Sequence, residues 1–178
     1  MKLYIIRHCE ANGQAPNACL TLAGSETSGR LAKFLSGLNI ELVISSPFTR
    51  AVHTIQPFIL QNNIPFKLDD HLKERVLSSE DLPDWYEKLQ QTYIDKELNF
   101  TGGESSNEAT KRINELVQEL KQRNYKSVAI VTHGNIMSLL LNYYQPHFGF
   151  EEWKQLSNPD VFEMDFSKEH PVGNRIWR

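Results

Sequence analysis

Ser127-Val128-Ala129-Ile130-Val131-Thr132-His133-Gly134-Asn135-Ile136 decides the fold of this chain. Its first half is an unbroken apolar run rich in β-branched residues, which reads as a strand buried on both faces. A polar break, His133-Gly134-Asn135, leads into an apolar helical stretch from Ile136 to about Tyr143. The same grammar recurs upstream. Leu3-Tyr4-Ile5-Ile6 is a short buried strand that ends in Arg7-His8, and Leu42-Val43-Ile44-Ser45 is another, broken by Ser46-Pro47. Phe66-Lys67-Leu68 reads as a shorter strand, and Val161 to Phe166 as a late one with a more polar face.

Helical patterns fill the gaps. Thr21 is placed to cap a helix running to about Phe34, with Gly37 as its stop. Ala51, Ile55, Phe58 and Ile59 share one face of a second helix, in which Pro57 removes a backbone donor and is expected to kink or end it. Ser105 and Glu108 have capping-box spacing, and the helix they open aligns Ala109, Ile113, Leu116, Val117 and Leu120. The stretch 72–100 is charged and aromatic, with Trp85, Tyr86, Leu89 and Tyr93. It reads as a cap-like excursion carrying one helix. Strands and helices alternate, so the expected class is α/β: a three-layer α/β/α sandwich with a mainly parallel sheet, as one domain over residues 1–178.

Bulk properties narrow the function. A formal net charge of −3 and a pI near 6.1 argue against a general nucleic-acid binder. No apolar run approaches the length of a membrane span, and the apolar run at the N-terminus is far too short for a signal peptide. Cys9 and Cys19 lack metal-pair or redox-motif spacing and suit a reducing compartment, so the expectation is a cytoplasmic protein without membrane or nucleic-acid partners. Nothing in the sequence sets the oligomeric state.

The polar strand ends carry the chemistry. Ligands bind outside the carboxyl ends of strands in open parallel sheets. If the three main strands are neighbours, Arg7, His8, Arg50 and His133 converge on one rim. Guanidiniums match phosphate oxygens as forked donors, a neutral imidazole is a competent nucleophile near pH 7, and an amide at the helix start after Gly134 favours an anion. His53, His71, His147 and His170 have no such context and read as structural or surface residues.

Arg7-His8-Cys9-Glu10 resembles the Arg-His-Gly-Glu signature of the histidine phosphatase (phosphoglycerate-mutase-like) superfamily. Leu20-Thr21-Leu22-Ala23-Gly24 is similar to its Leu-Thr-x-x-Gly helix start, and Ser45-Ser46-Pro47-Phe48-Thr49-Arg50-Ala51-x-x-Thr54 to its second signature. Leu72-Lys73-Glu74-Arg75, Gly102-Gly103-Glu104-Ser105 and Val131-Thr132-His133-Gly134 resemble its later motifs, in the family's order. The resemblance implies His8 as a nucleophile that becomes a transient phosphohistidine. It implies Arg7, Arg50 and His133, with Gly134 and Asn12, as phosphate-binding residues, and Glu74 as the proton donor. It implies no metal and no cofactor.

The chain departs from the pattern at three places. Cys9 stands where glycine is usual, and its side chain is expected to crowd the phosphate pocket or alter the adjacent backbone. The segment after Glu74 lacks the usual glycine and tryptophan, which leaves Glu80 or Asp81 as substitute donors. Asn12 is near the family's substrate-contacting asparagine but not at the usual offset. Three functions fit. A phosphomonoesterase acting on a small phosphorylated metabolite comes first. A phosphoglycerate mutase is second and disfavoured, because the stretch between Arg50 and Gly102 is short. A phosphate-binding module without turnover is third.

Overall fold

The computed structural model describes residues 1–177. Six strands form one sheet: β1 (Lys2–Arg7), β2 (Leu42–Ser45), β3 (Phe66–Leu68), β4 (Ser127–Thr132), β5 (Asp160–Asp165) and β6 (Gly173–Arg175). Their spatial order is β3-β2-β4-β1-β5-β6. The first four run parallel, β5 pairs antiparallel with β1, and β6 pairs antiparallel with β5 to close one edge. Helices α1 (Leu22–Leu35), α2 (Thr49–Asn62), α3 (Trp85–Ile94), α4 (Ser106–Lys121), α5 (Gly134–Tyr144) and α6 (Phe150–Lys154) complete the chain.

The pleat of the strands divides the core in two, because successive side chains point to opposite faces. Leu3, Ile5, Leu42, Ile44, Val128 and Ile130 pack with Ala109, Ile113, Leu116 and Val117 of α4 and with α5. Tyr4, Ile6, Val43, Ala129 and Val131 pack on the other side with Leu31 of α1 and with Ala51, Ile55 and Phe58 of α2. The uniformly apolar runs of the sequence thus supply two cores at once, and the sandwich has three layers.

Two local expectations are corrected or sharpened. Helix α2 does not end at Pro57 but continues to Asn62, where Asn63 adopts a left-handed conformation (φ 49°). Burial of Ile55 and Phe58 on either side of the proline outweighs one missing backbone bond. The capping box of α4 is present: Glu108 N donates to Ser105 Oγ at 3.1 Å and Ser105 N donates to Glu108 Oε2 at 2.7 Å.

The excursion after β3 is irregular apart from one helical turn at Asp70–Leu72 and α3. Two arginines, the buried Arg75 and the half-buried Arg112, stitch it to the body. Arg75 donates to Thr92 Oγ1, Ser106 Oγ and the Glu104 carbonyl. Arg112 forks onto Glu104 through two 2.7 Å bonds and donates to the carbonyls of His71 and Lys73. At the start of the excursion, Leu72 is fully buried and its carbonyl accepts from Thr132 Oγ1 at 2.8 Å. That bond anchors the segment beside the end of β4. Ser105→Ala removes the cap of α4 and is expected to lower unfolding free energy by about 1 kcal/mol. Urea denaturation checks this, with an unchanged midpoint as the contrary result.

Candidate active site

Parallel pairing of β2, β4 and β1 puts their carboxyl ends side by side. Arg7 is level with Thr132, and Ser45 with Val131. The residues that follow, His8, Ser46 and His133, therefore meet at one rim. The His8 and His133 ring centroids are 5.1 Å apart.

The His8 ring is fixed at both nitrogens. Nδ1 lies 2.6 Å from the Cys9 carbonyl oxygen, which can only accept, so the proton sits on Nδ1. The lone pair is then on Nε2, where it accepts from Arg50 Nε at 3.1 Å. Burial pushes the His8 pKa down to about 4, with the Arg50 and Arg7 charges adding to the effect against the Cys9 carbonyl. The imidazole is neutral at physiological pH, with its Nε2 lone pair directed at Arg50. His133 is shifted well below the usual range, by burial first and then by its neighbours His8, Arg50 and Arg7. Its Nε2 is 2.8 Å from Ser46 Oγ, and its buried Nδ1 has no protein partner. With the Ser46 hydroxyl donating to Nε2, Nδ1 carries the proton and is left to donate to an incoming oxygen.

The two arginines are held by carbonyls rather than carboxylates. Arg50 is 1% exposed and donates through Nη1 to the carbonyls of Gln14 and Ala15, each at 3.0 Å. Arg7 donates through Nη1 to the Leu156 carbonyl at 2.9 Å, and its buried Nε has no protein partner. Gly134 explains the glycine in its motif. A Cβ there would lie 3.0 Å from the Arg7 guanidinium. Gly24 does the same for the N-terminal loop, where a Cβ would lie 2.1 Å from the Glu10 carbonyl oxygen.

Glu74 reaches the rim, and both of its oxygens are engaged. Oε1 accepts from the amides of Arg75 (2.9 Å) and Ile136 (3.0 Å), and Oε2 from the amide of Asn135 (3.1 Å). Its charge is felt at both Arg7 and Arg50. The amides at the start of α5, expected to meet an anion directly, are thus partly taken by this carboxylate. Glu80 and Asp81 lie exposed on the excursion, and the Glu80 amide is bound to Ser78 Oγ. Asn12 is exposed, with its side-chain amide on the Leu20 carbonyl at 3.3 Å, and the structure gives it no bond to the rim residues.

Cys9 does not crowd the pocket. It is fully buried in the apolar layer with Ile6, Leu31 and Ala51, and burial raises its thiol pKa to about 11. Its backbone φ is not positive, so the position does not require glycine. A thiol held this way is unreactive, and Cys19 is the exposed one.

Sequence reading missed three neighbours of the site. Phe48 packs edge-on against His133 (5.0 Å between centroids) and lies 4.9 Å from the Arg50 guanidinium carbon. Tyr93 Oη accepts from Asn135 Nδ2 at 2.9 Å and pairs with Ser138 Oγ at 2.5 Å, which docks α3 on the start of α5. Thr54 donates to the Arg50 carbonyl and accepts from the Cys9 amide at 2.8 Å. Phe48 and Thr54 had a signal, their places in the second motif, and Tyr93 only its place among the aromatics of the excursion. Among the described residues, no three His, Cys, Asp or Glu side chains gather as a metal site requires.

The family model described as histidine phosphatase superfamily (branch 1) matches residues 3–176. The chain belongs to that superfamily. The adenosylcobalamin/alpha-ribazole phosphatase of Escherichia coli K12 is 25% identical over 79% of this chain and 77% of its own. Two solved structures share the fold. A mycobacterial glucosyl-3-phosphoglycerate phosphatase with inorganic phosphate is 20% identical, covering 99% of this chain and 95% of its own, with a TM-score of 0.78. A phosphoserine phosphatase mutant from Entamoeba histolytica with phosphoserine is 21% identical, covering 97% and 94%, with the same score of 0.78.

The depressed His8 pKa has a consequence for stability. The folded state takes up this proton only near pH 4, whereas an unfolded histidine does so near 6.5. Between those values the unfolded chain holds more protons, so stability falls as pH falls. The His8 contribution, about 3 kcal/mol, is complete above pH 6.5 and lost towards pH 4. Urea midpoints measured from pH 7 to 4 should fall less steeply in His8→Gln than in the unsubstituted protein.

Proposed function

We propose that this protein is a phosphomonoester hydrolase that works through a phosphohistidine on His8 and acts on a small phosphorylated metabolite. The observation that carries this reading is the His8 Nε2 lone pair, held neutral and poised beside two buried guanidiniums and the unpartnered Nδ1 of His133. Family membership and the phosphatase names of the relatives support it. A small-molecule substrate is in keeping with the names of those relatives, which are phosphatases of adenosylcobalamin/alpha-ribazole, glucosyl-3-phosphoglycerate and phosphoserine.

In the resting site, Arg50 Nε donates to the atom that has to attack. A phosphate dianion is the better acceptor for that N–H. Its arrival transfers the Arg50 donor to a phosphoryl oxygen and frees the lone pair. Arg7 Nε and His133 Nδ1, both without protein partners, bind the other oxygens and stabilise the charge of the transition state. Nε2 forms a bond to phosphorus as the ester P–O bond breaks, and Glu74, having taken up a proton from solvent on substrate binding, gives it to the leaving oxygen. Water then attacks the phosphohistidine, with Glu74 taking the proton back, which releases phosphate and restores the lone pair. No step requires a metal. We read residues 72–100 as a cap that brings Glu74 to the rim, within a single domain. The cytoplasm is the compartment that suits two free cysteines; no described helix is long and apolar enough to cross a membrane.

The direct test is hydrolysis of p-nitrophenyl phosphate in EDTA across pH 5 to 8. The unsubstituted protein should turn over, and His8→Ala should lose at least about a thousandfold in rate while keeping its circular dichroism. Activity in His8→Ala within tenfold of the unsubstituted protein defeats the assignment. Interconversion of phosphoglycerates primed by a bisphosphate would mark a mutase instead. For the acid, Glu74→Gln should slow alkyl phosphates more than aryl phosphates, because an alkoxide needs the proton most. Equal slowing for both classes moves the role to another residue.

A further inference from the structure

The dipeptide Arg7-His8 is gripped by a segment that none of the motifs includes. It runs from Leu156 to Asp160, just before the antiparallel strand β5. Arg7 Nη1 donates to the Leu156 carbonyl at 2.9 Å and lies 3.4 Å from the Ser157 carbonyl. Asn158 Nδ2 donates to the His8 carbonyl at 2.9 Å. Across the same peptide unit, the Cys9 amide donates to Thr54 Oγ1 at 2.8 Å. The peptide that follows the nucleophile is therefore pinned at both ends, its oxygen by the segment before β5 and its N–H by α2.

The segment is itself held by charge. Asp160 is fully buried; its Oδ2 accepts from the Ser157 amide at 3.0 Å, and its Oδ1 from the Val161 amide at 3.0 Å. Arg175 of β6 meets both oxygens, Nε on Oδ1 at 2.9 Å and Nη2 on Oδ2 at 2.6 Å, and Nη2 also donates to Ser157 Oγ. Packing does not do this work on the outer side. There Ser157 and Asn158 border a cavity of about 690 Å³, shared with Thr27, Arg30, Arg175 and Trp177. A segment with open space behind it keeps its place through its hydrogen bonds, and loss of one lets it recede.

We propose that Asn158 is a positioning residue for His8. By fixing the His8 carbonyl it sets the peptide plane and hence the direction of the imidazole, while the Arg175–Asp160 pair holds Asn158 in reach. Thr54 is its counterpart on the opposite side of the peptide. The inference rests on His8 as the nucleophile. It separates aim from affinity: Arg50 and His133 are not bonded to this segment, and Arg7 is held by its main-chain carbonyls at Leu156 and Ser157, not by the Asn158 side chain.

The test is steady-state and single-turnover kinetics with p-nitrophenyl phosphate, alongside inhibition by inorganic phosphate and thermal unfolding. Asn158→Ala and Asn158→Asp, which keeps the shape but has no N–H to donate, should each lower kcat and the rate of His8 phosphorylation about tenfold or more. KM and the phosphate inhibition constant should stay within about threefold. Thr54→Val should give a similar kcat loss, and the double variant Asn158→Ala/Thr54→Val should lose less than the product of the two, because both act on one peptide. A kcat within twofold in Asn158→Asp overturns the proposal. So does a fall in kcat that merely follows a fall in thermal stability, or full multiplicativity in the double variant. The two readings fail separately: an active, His8-dependent enzyme with an active Asn158→Asp refutes only the positioning, whereas absence of His8-dependent turnover refutes both.

Discussion

Two guanidiniums, one buried and one half-buried, meet two buried neutral imidazoles at one rim, and the positive charge of the arginines constrains the rest of the site. Taking Arg7 and Arg50 out of water is costly unless their donors are occupied. The protein occupies some of them with carbonyls, those of Leu156, Gln14 and Ala15, which satisfy hydrogen bonds without cancelling charge. Burial, with the uncancelled charge adding to it, keeps a second proton off either histidine. On the proposed mechanism, this keeps the His8 lone pair available to attack, and the net positive charge of the arginines favours a dianion. A carboxylate partner for each arginine would have made a more comfortable fold and a worse phosphate site.

Glu74 is the acid whose charge acts on both arginines of this cluster, and its placement depends on the excursion. The Thr132–Leu72 bond anchors the start of that segment, and the buried Arg75 closes it onto α4. Tyr93 ties α3 to Asn135, the residue whose amide Glu74 accepts. Acid, cap helix and phosphate-facing helix therefore share one network at the start of α5. This gives a physical reason for the dense polar bonding of a stretch that, read alone, is only charged and aromatic. On the proposed mechanism, an excursion free to swing would carry Glu74 away from the leaving oxygen.

Cys9 shows how a departure from a motif is absorbed. The position faces the apolar layer under α1 and α2, not the phosphate. A small apolar thiol packs there beside Ile6 and Leu31, while the backbone amide still reaches Thr54. What the site needs from this residue is its main chain: an N–H for Thr54 and a carbonyl for His8 Nδ1. Both are available to any residue with ordinary backbone angles.

The sequence by itself determined the layers and the strand ends. Apolar β-branched runs cannot remain exposed, and the polar residues that terminate them are set by covalent order, so Arg7-His8, Ser46 and His133-Gly134 were legible as rim candidates. The capping box of α4 and the threonine cap of α1 were legible for the same local reason. Only the tertiary structure decided that β2, β4 and β1 are neighbours, since strand order is a long-range choice that no local pattern encodes. It also decided that α2 passes through Pro57, where packing outweighs one lost bond, and that Asn12 bonds to its own loop. It showed Asn158, Asp160 and Arg175 standing behind the nucleophile, about 150 residues further along the chain. Such residues carry no motif, because a hydrogen bond to a main-chain carbonyl depends on where the donor is held and not on what surrounds it in sequence.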